Sequence, residues 1–265
     1  MTSPSGKLLS ERNGRVAIIR FNDPATRNAL TMDMADELKA LLREAEESAG
    51  AVMLAGGDKA FCAGANLGSV GSSQQEPKGP GDAGLALEDQ INPLMMAIRD
   101  LSIPIVTAVR GAAAGVGASL ALAGDLIVAG HDAYFLQAFA KIGLVPDGGS
   151  PWLLVKSIGK ARAMELMLLA DRLPAEKAAD WGLINQVVED SKVEGVALAL
   201  ANRLADGPST ALGLIRKACW SAAESSFDTE LRLERVLQRQ AGRDPNFAEG
   251  VSAFLEKRPA RFNAS

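Results

Sequence analysis

The chain has 265 residues, 48% of them hydrophobic and 23% charged, which is enough apolar material for one large core or two small ones. A net charge of −4 argues against nucleic acid, which attracts chains with a basic excess, but leaves room for a local basic cluster around a small anion. Two cysteines form no disulfide framework and point to a reducing cytoplasm; a lone histidine excludes a multi-histidine metal site, and no stretch approaches the roughly 18 apolar residues of a membrane span.

Residues 1–14 contain no apolar run of the kind a secretion signal needs. Arg15 to Phe21 is short and β-branched, which predicts a strand, and Asn22-Asp23-Pro24 closes it with turn residues. Thr31 is placed to cap a helix in which Leu38, Leu41, Leu42 and Ala45 recur at helical spacing. Val52-Met53-Leu54 reads as a second strand ending at Gly56-Gly57.

Residues 68–84 are rich in Gly, Ser, Gln and Pro and read as a loop. A helix follows from about Leu85 to Asp100, with a kink or a start expected near Pro93. Ile105 to Val109 is a buried strand, Gly111 to Gly117 a glycine-rich turn, Val116 to Ala123 an apolar helix and Asp125 to Ala129 another strand. His131 falls in a surface turn. Beyond Pro146 the chain turns helical, with short helices over 151–181 and longer amphipathic ones over 192–206, 208–225, 228–241 and 245–256. The order is β/α alternation followed by an all-helical C-terminal third.

Three segments carry possible chemistry. Phe61-Cys62-Ala63-Gly64-Ala65-Asn66-Leu67 follows a strand, and its small residues let a backbone approach a ligand; taken alone it reads as a tight turn. Cys62 has no neighbouring base and reads as a small buried residue. Gly111 through Leu120 runs from a strand through glycines into a helix whose first N–H groups lack intrahelical partners, which suits an oxyanion, a phosphate or merely close helix–sheet packing. It fails the dinucleotide pattern G-x-G-x-x-G, because Leu120 stands at the third glycine position. In Pro146-Asp147-Gly148-Gly149-Ser150-Pro151, local chemistry makes Asp147 a turn residue and Ser150-Pro151 a helix start.

In this order the segments resemble the crotonase (enoyl-CoA hydratase/isomerase) family over nearly the whole chain. The stretch from Asp23-Pro24 to Leu30 resembles the family's early CoA-contact segment, Phe61 to Leu67 its first oxyanion loop, and Ile103 to Asp125 its second. Ala170 to Asn185 and Phe254-Leu255-Glu256-Lys257-Arg258 resemble its later signatures. The resemblance implies an α/β fold, a spiral of ββα units over residues 1–195 with a helical C-terminal trimerisation region over 196–265. It implies a homotrimer or dimer of trimers, an acyl-CoA substrate, no nucleic-acid or membrane partner, and no metal or redox cofactor.

By motif position, the backbone N–H groups of Ala65 and Val116 would hold the thioester oxygen. Ala25, Arg27, Ala63, Ala65, Asn66, Leu67, Phe254 and Lys257 would contact the CoA moiety, Lys257 on a neighbouring subunit. The two glutamates with which family hydratases handle water are replaced here by Ser119 and Phe139, and neither side chain can do paired acid–base work. Asp147 matches the carboxylate of some family isomerases, and residues 135–147 look most like ring-1,2-epoxyphenylacetyl-CoA isomerases, which overlap in activity with Δ3,Δ2-enoyl-CoA isomerases. The expectation is an isomerase with Asp147 moving the proton, its pKa raised by an apolar wall that includes Phe139. The alternatives are a hydratase using Glu88 or Asp89, a dehalogenase or thioesterase with Asp147 as nucleophile, and a non-catalytic acyl-CoA-binding homologue.

Overall fold

The computed structural model describes residues 3–66, 82 and 84–263. It opens with a hairpin of β1 (Leu8–Asn13) and β2 (Val16–Phe21), of which sequence patterning predicts only the second strand. β1 is an edge strand whose outer residues, Glu11 to Asn13, face solvent, so it lacks the apolar alternation that marks β2. Helix α1 (Met32–Ser48) starts where expected: the Thr31 hydroxyl accepts the Met34 N–H at 3.3 Å, and Met34, Leu38, Leu42 and Ala45 turn inward. Each fully buried leucine on that face contributes about 1.5–3 kcal/mol.

A repeat of long strand, short strand and helix follows. β3 (Ala51–Ala55) and β4 (Ala60–Cys62) precede α2 (Asn92–Asp100). β5 (Ile105–Val109) and β6 (Ala112–Ala114) precede α3 (Val116–Leu122), and β7 (Leu126–Gly130) is followed by β8 (Tyr134–Leu136). Each repeat sends its long strand to one sheet and its short strand to another. With β9 (Leu173–Pro174) and β10 (Gln186–Val188), the sheets have the orders β1-β2-β3-β5-β7-β10 and β4-β6-β8-β9. The helical remainder is α4 (Ser150–Leu169), α5 (Ala175–Asp180), α6 (Val193–Ala205), α7 (Ser209–Ala222), α8 (Phe227–Ala241) and α9 (Pro245–Glu256).

Three expectations change in detail. Ala112–Ala114, expected within a turn, is a strand paired with β4 and β8. The short helices expected over 151–181 are mostly one 20-residue helix, α4, bent at Gly159, where φ is 77°. The kink near Pro93 is a π-helical turn, Leu87–Ile91, that passes into α2 with the proline in the first α-turn, where its missing N–H costs nothing.

Both faces of the larger sheet are covered, which is why β3 and β5 are buried at every position. One face, with Ile19, Phe21, Leu54 and Ile127, packs into the main core with α1 and α2. The other, with Val16, Ile18, Met53 and Val106, receives Val193, Ala197, Ala201 and Ala205 of α6, whose four-residue spacing makes a flat stripe that seats close to the sheet. The expected boundary at 195/196 falls inside this helix. Among the described residues no helix is long and apolar enough to cross a membrane.

Candidate active site

The first wall of the site is fixed by Asn28. Its buried carboxamide accepts the Asp23 N–H at 2.8 Å and donates to the Ala60 carbonyl at 2.9 Å, folding residues 23–30 against the end of β4. Backbone bonds extend the contact: Ala63 N–H to Arg27 O at 3.1 Å, Leu30 N–H to Gly64 O at 2.7 Å, and Asn66 N–H to Leu30 O at 2.9 Å. This is a parallel bridge between Leu30 and Ala65, in which the residues flanking Ala65 bond to Leu30. The Ala65 N–H therefore points to the opposite side, and it has no partner among the described residues.

The second wall begins at Gly115, whose φ of 51° and ψ of −129° suit glycine rather than an L side chain. Its N–H donates to Leu136 O at 2.8 Å and ends the small sheet there. Val116, the first residue of α3, has no residue a turn earlier to bond, and its N–H has no partner among the described residues. A Cβ placed on Gly117 would lie 2.2 Å from the Cys62 carbonyl oxygen, so only glycine lets α3 pack directly on β4. A Cβ placed on Gly115 would lie 3.7 Å from Gly64 Cα and 3.6 Å from the Phe139 ring. The two loops thus meet glycine to glycine, and the next residue of each is Ala65 or Val116.

Asp147 enters from the loop before α4. Ser119 and Ser150 are fully buried, with hydroxyls 2.6 Å apart; the Ser119 hydroxyl and the Ser150 N–H donate to the Asp147 carbonyl at 3.0 and 3.1 Å. A Cβ on the adjacent Gly148 would fall 2.8 Å from Ser119 Cβ and 3.3 Å from a Val116 methyl, which sets this loop against the start of α3. The Asp147 Oδ1 is buried without a hydrogen-bond partner. Burial alone, with no cation beside it, pushes the carboxyl up to about 6.

Sequence reasoning passed over Gln137. It is buried, and its Oε1 also lacks a partner; the signal was a lone amide in the apolar stretch Phe135 to Phe139.

The remaining candidates are scattered. Ala25 and Arg27 are exposed beside the first loop, and Ala63 and Asn66 lie in it. Leu67 and most of 68–84 lie outside the described residues. Phe254, 82% exposed, and Lys257, at the end of α9, form no hydrogen bond or ion pair with either loop among the described residues. Glu88 and Asp89 are exposed on the π-helical turn. Burial pushes the Cys62 thiol up to about 11, so it stays protonated at neutral pH. His131 is exposed and pairs with the exposed Glu176 at 2.8 Å. A groove of about 890 Å³ beside α7 mixes Arg15, Arg99 and Lys217 with Glu46, Asp100 and Glu224, and shares no residue with the site.

Comparison with known proteins bears on this arrangement. A family model described as enoyl-CoA hydratase/isomerase matches residues 11–265. The 1,2-epoxyphenylacetyl-CoA isomerase of Escherichia coli K12 is 42% identical over 258 residues, covering 96% of this chain and 97% of that protein. A probable enoyl-CoA hydratase of Rhodobacter capsulatus is also 42% identical, over 93% of this chain and 94% of its own. The crystal structure of an enoyl-CoA hydratase from Polaromonas sp. JS666 superposes with a TM-score of 0.89 at 31% identity, covering 97% of this chain and 99% of that one.

Proposed function

Starting from the fact that the chain belongs to the enoyl-CoA hydratase/isomerase family, we propose that it is an acyl-CoA isomerase that works through an enolate held by two backbone N–H groups. The thioester oxygen sits between Ala65 N–H and Val116 N–H. Asp147 removes a proton from the α-carbon, and the electron pair moves into the thioester as an enolate. For a 3-enoyl-CoA, the carboxylic acid formed on Asp147 returns that proton to C4 as the double bond settles between C2 and C3. Nothing is gained or lost overall, and no metal or redox group takes part.

The observation that carries this reading is a carboxylate with a raised pKa, on a loop packed against Val116, together with two amides that have no partner among the described residues. A group titrating near 6 is both a competent base and a competent acid near neutrality. A hydratase must in addition position and activate water. At the two places where family resemblance puts glutamates for that work, this chain has a serine committed to Asp147 O and Ser150 and a buried phenyl ring. The matching epoxyphenylacetyl-CoA isomerase supports a 2-(1,2-epoxy-1,2-dihydrophenyl)acetyl-CoA or an enoyl-CoA substrate.

The CoA moiety lies along Ala25, Arg27, Ala63, Ala65, Asn66, Leu67 and Phe254, with Lys257 supplied by a neighbouring subunit. Exposed Phe227, Leu231, Phe254 and Leu255 on α8 and α9 support a homotrimer assembled through the C-terminal helices. Two unpaired thiols, Cys62 and Cys219, support a cytoplasmic location. The test is conversion of a 3-enoyl-CoA to its conjugated 2-enoyl isomer, followed by ultraviolet absorbance. Wild-type protein gives the conjugated product and Asp147→Asn does not; equal rates for the two would overturn the reading.

A further inference from the structure

Two buried side-chain oxygens lack hydrogen-bond partners among the described residues: Asp147 Oδ1 and Gln137 Oε1. The first belongs to proton transfer. The second has no role in the steps above, although leaving a buried amide incomplete is costly and such groups are normally completed by a ligand or a trapped water. Gln137 is 3% exposed, so bulk solvent does not complete it.

The chain neighbours of Gln137 reach the second wall of the site. The residue before it, Leu136, accepts the Gly115 N–H at 2.8 Å. Two residues after it, the Phe139 ring lies over Gly115. Gly115 in turn leads directly into Val116. Phe135 and Phe139 on either side are buried and apolar, and Ser119 is already committed to Asp147 O and Ser150. Gln137 Oε1 is thus a buried acceptor next to this wall with no partner among the described residues and no part in the proton transfer.

Resting on the isomerase reading and extending it to substrate choice, we propose that Gln137 Oε1 accepts a hydrogen bond from a hydroxyl substituent on the acyl group, so that the site selects hydroxylated acyl-CoAs over plain hydrocarbon ones. The unpartnered atom is Oε1, an acceptor, so the group that completes it is a donor: a hydroxyl, and not an epoxide or ether oxygen. A site built to pair a substrate oxygen rejects the analogue lacking it more strongly than an apolar pocket rejects an added one. Asp147 is unsuited to this duty because it changes protonation state during each turnover.

The test is calorimetric titration with phenylacetyl-CoA and (2-hydroxyphenyl)acetyl-CoA, which differ by one ring oxygen. Wild-type protein binds the hydroxylated ligand about tenfold more tightly, the worth of one good hydrogen bond. Gln137→Met, similar in shape but apolar, binds both equally and keeps the wild-type affinity for phenylacetyl-CoA. Equal affinities in the wild type, as a trapped water completing the amide would give, overturn the proposal, and so does a preference that survives in the variant. Equal affinities in the wild type overturn the proposal even if this variant does not fold, and Gln137→Leu, a second apolar variant, then carries the comparison. Titration needs no turnover, so failure of the isomerase reading leaves this result standing, and equal affinities leave that reading untouched.

Discussion

The Ser119 hydroxyl donates to the backbone carbonyl of Asp147 at 3.0 Å, from a fully buried position three residues beyond Val116. One turn of α3 therefore carries both an amide of the proposed oxyanion site and the clamp on the loop that brings the proposed acid–base group. Ser119→Ala removes the clamp and leaves the carboxyl chemically intact. We expect a stability loss of about 1 kcal/mol in denaturant unfolding. The turnover number should fall about tenfold with KM nearly unchanged, because the loop, and not the CoA contact, is displaced.

Asp147→Asn should cost activity and add stability. The carboxyl is raised from its ordinary 3.8 to about 6 because burial disfavours its charged form. Its contribution to stability is whole below its ordinary pKa and is lost as pH rises through about 6. The neutral amide escapes that loss. The variant should be more stable than wild type above pH 6 by about 1 kcal/mol, a figure reduced because the carboxyl is partly open to solvent, and the difference should vanish below about pH 4. Thermal unfolding across pH measures this. Isomerisation should fall by roughly 10²–10⁴.

The same shift sets the pH profile of catalysis. As a base, Asp147 must begin the cycle ionised, so kcat/KM should fall on the acid side with an apparent pKa of about 6. A limb lying near 4 would mean that the carboxyl is solvated when it acts.

Val116→Pro deletes one proposed oxyanion donor at little cost to the fold. Val116 is the first residue of α3, a position where proline is tolerated, and the preceding glycine accommodates its ring. Loss of the N–H should remove about 2.7–4 kcal/mol of transition-state stabilisation, a fall of roughly 10²–10³ in kcat, with far-ultraviolet circular dichroism unchanged.

Arg216 anchors the helical third to the core. It is 5% exposed, pairs with Asp125 at 2.6 Å, and donates to the Ile98 carbonyl at 3.0 Å and to that of Leu101, closing the end of α2. Arg216→Ala leaves the Asp125 carboxylate and these carbonyls uncompensated. It should destabilise the protein by about 3–5 kcal/mol in denaturant unfolding.

The sequence was legible wherever periodicity was strong. Thr31 and the leucines of α1, the β-branched run of β2, and the four C-terminal helices fall within a few residues of their expected bounds. Ala112–Ala114 was not legible as a strand: alanine is a poor strand former, and the segment is held by pairing on both sides and not by propensity. The seat of Asp147 was hidden for a related reason. Local chemistry makes it a turn residue, and only the Ser119–Ser150 pair, 31 positions apart, shows that the turn is pinned beside Val116. Gln137 stood out only as a lone amide among apolar residues, and its missing partner is visible only once the chain is folded.

Isomerisation without hydration is tested by incubation of purified protein with a 3-enoyl-CoA and, separately, a 2-enoyl-CoA in water enriched in heavy oxygen, read by mass spectrometry. The expected result is interconversion of the 3-enoyl and 2-enoyl forms with no heavy oxygen in either product. A 3-hydroxyacyl-CoA carrying solvent oxygen would contradict isomerisation, because water would then be activated by groups other than the Asp147 carboxylate.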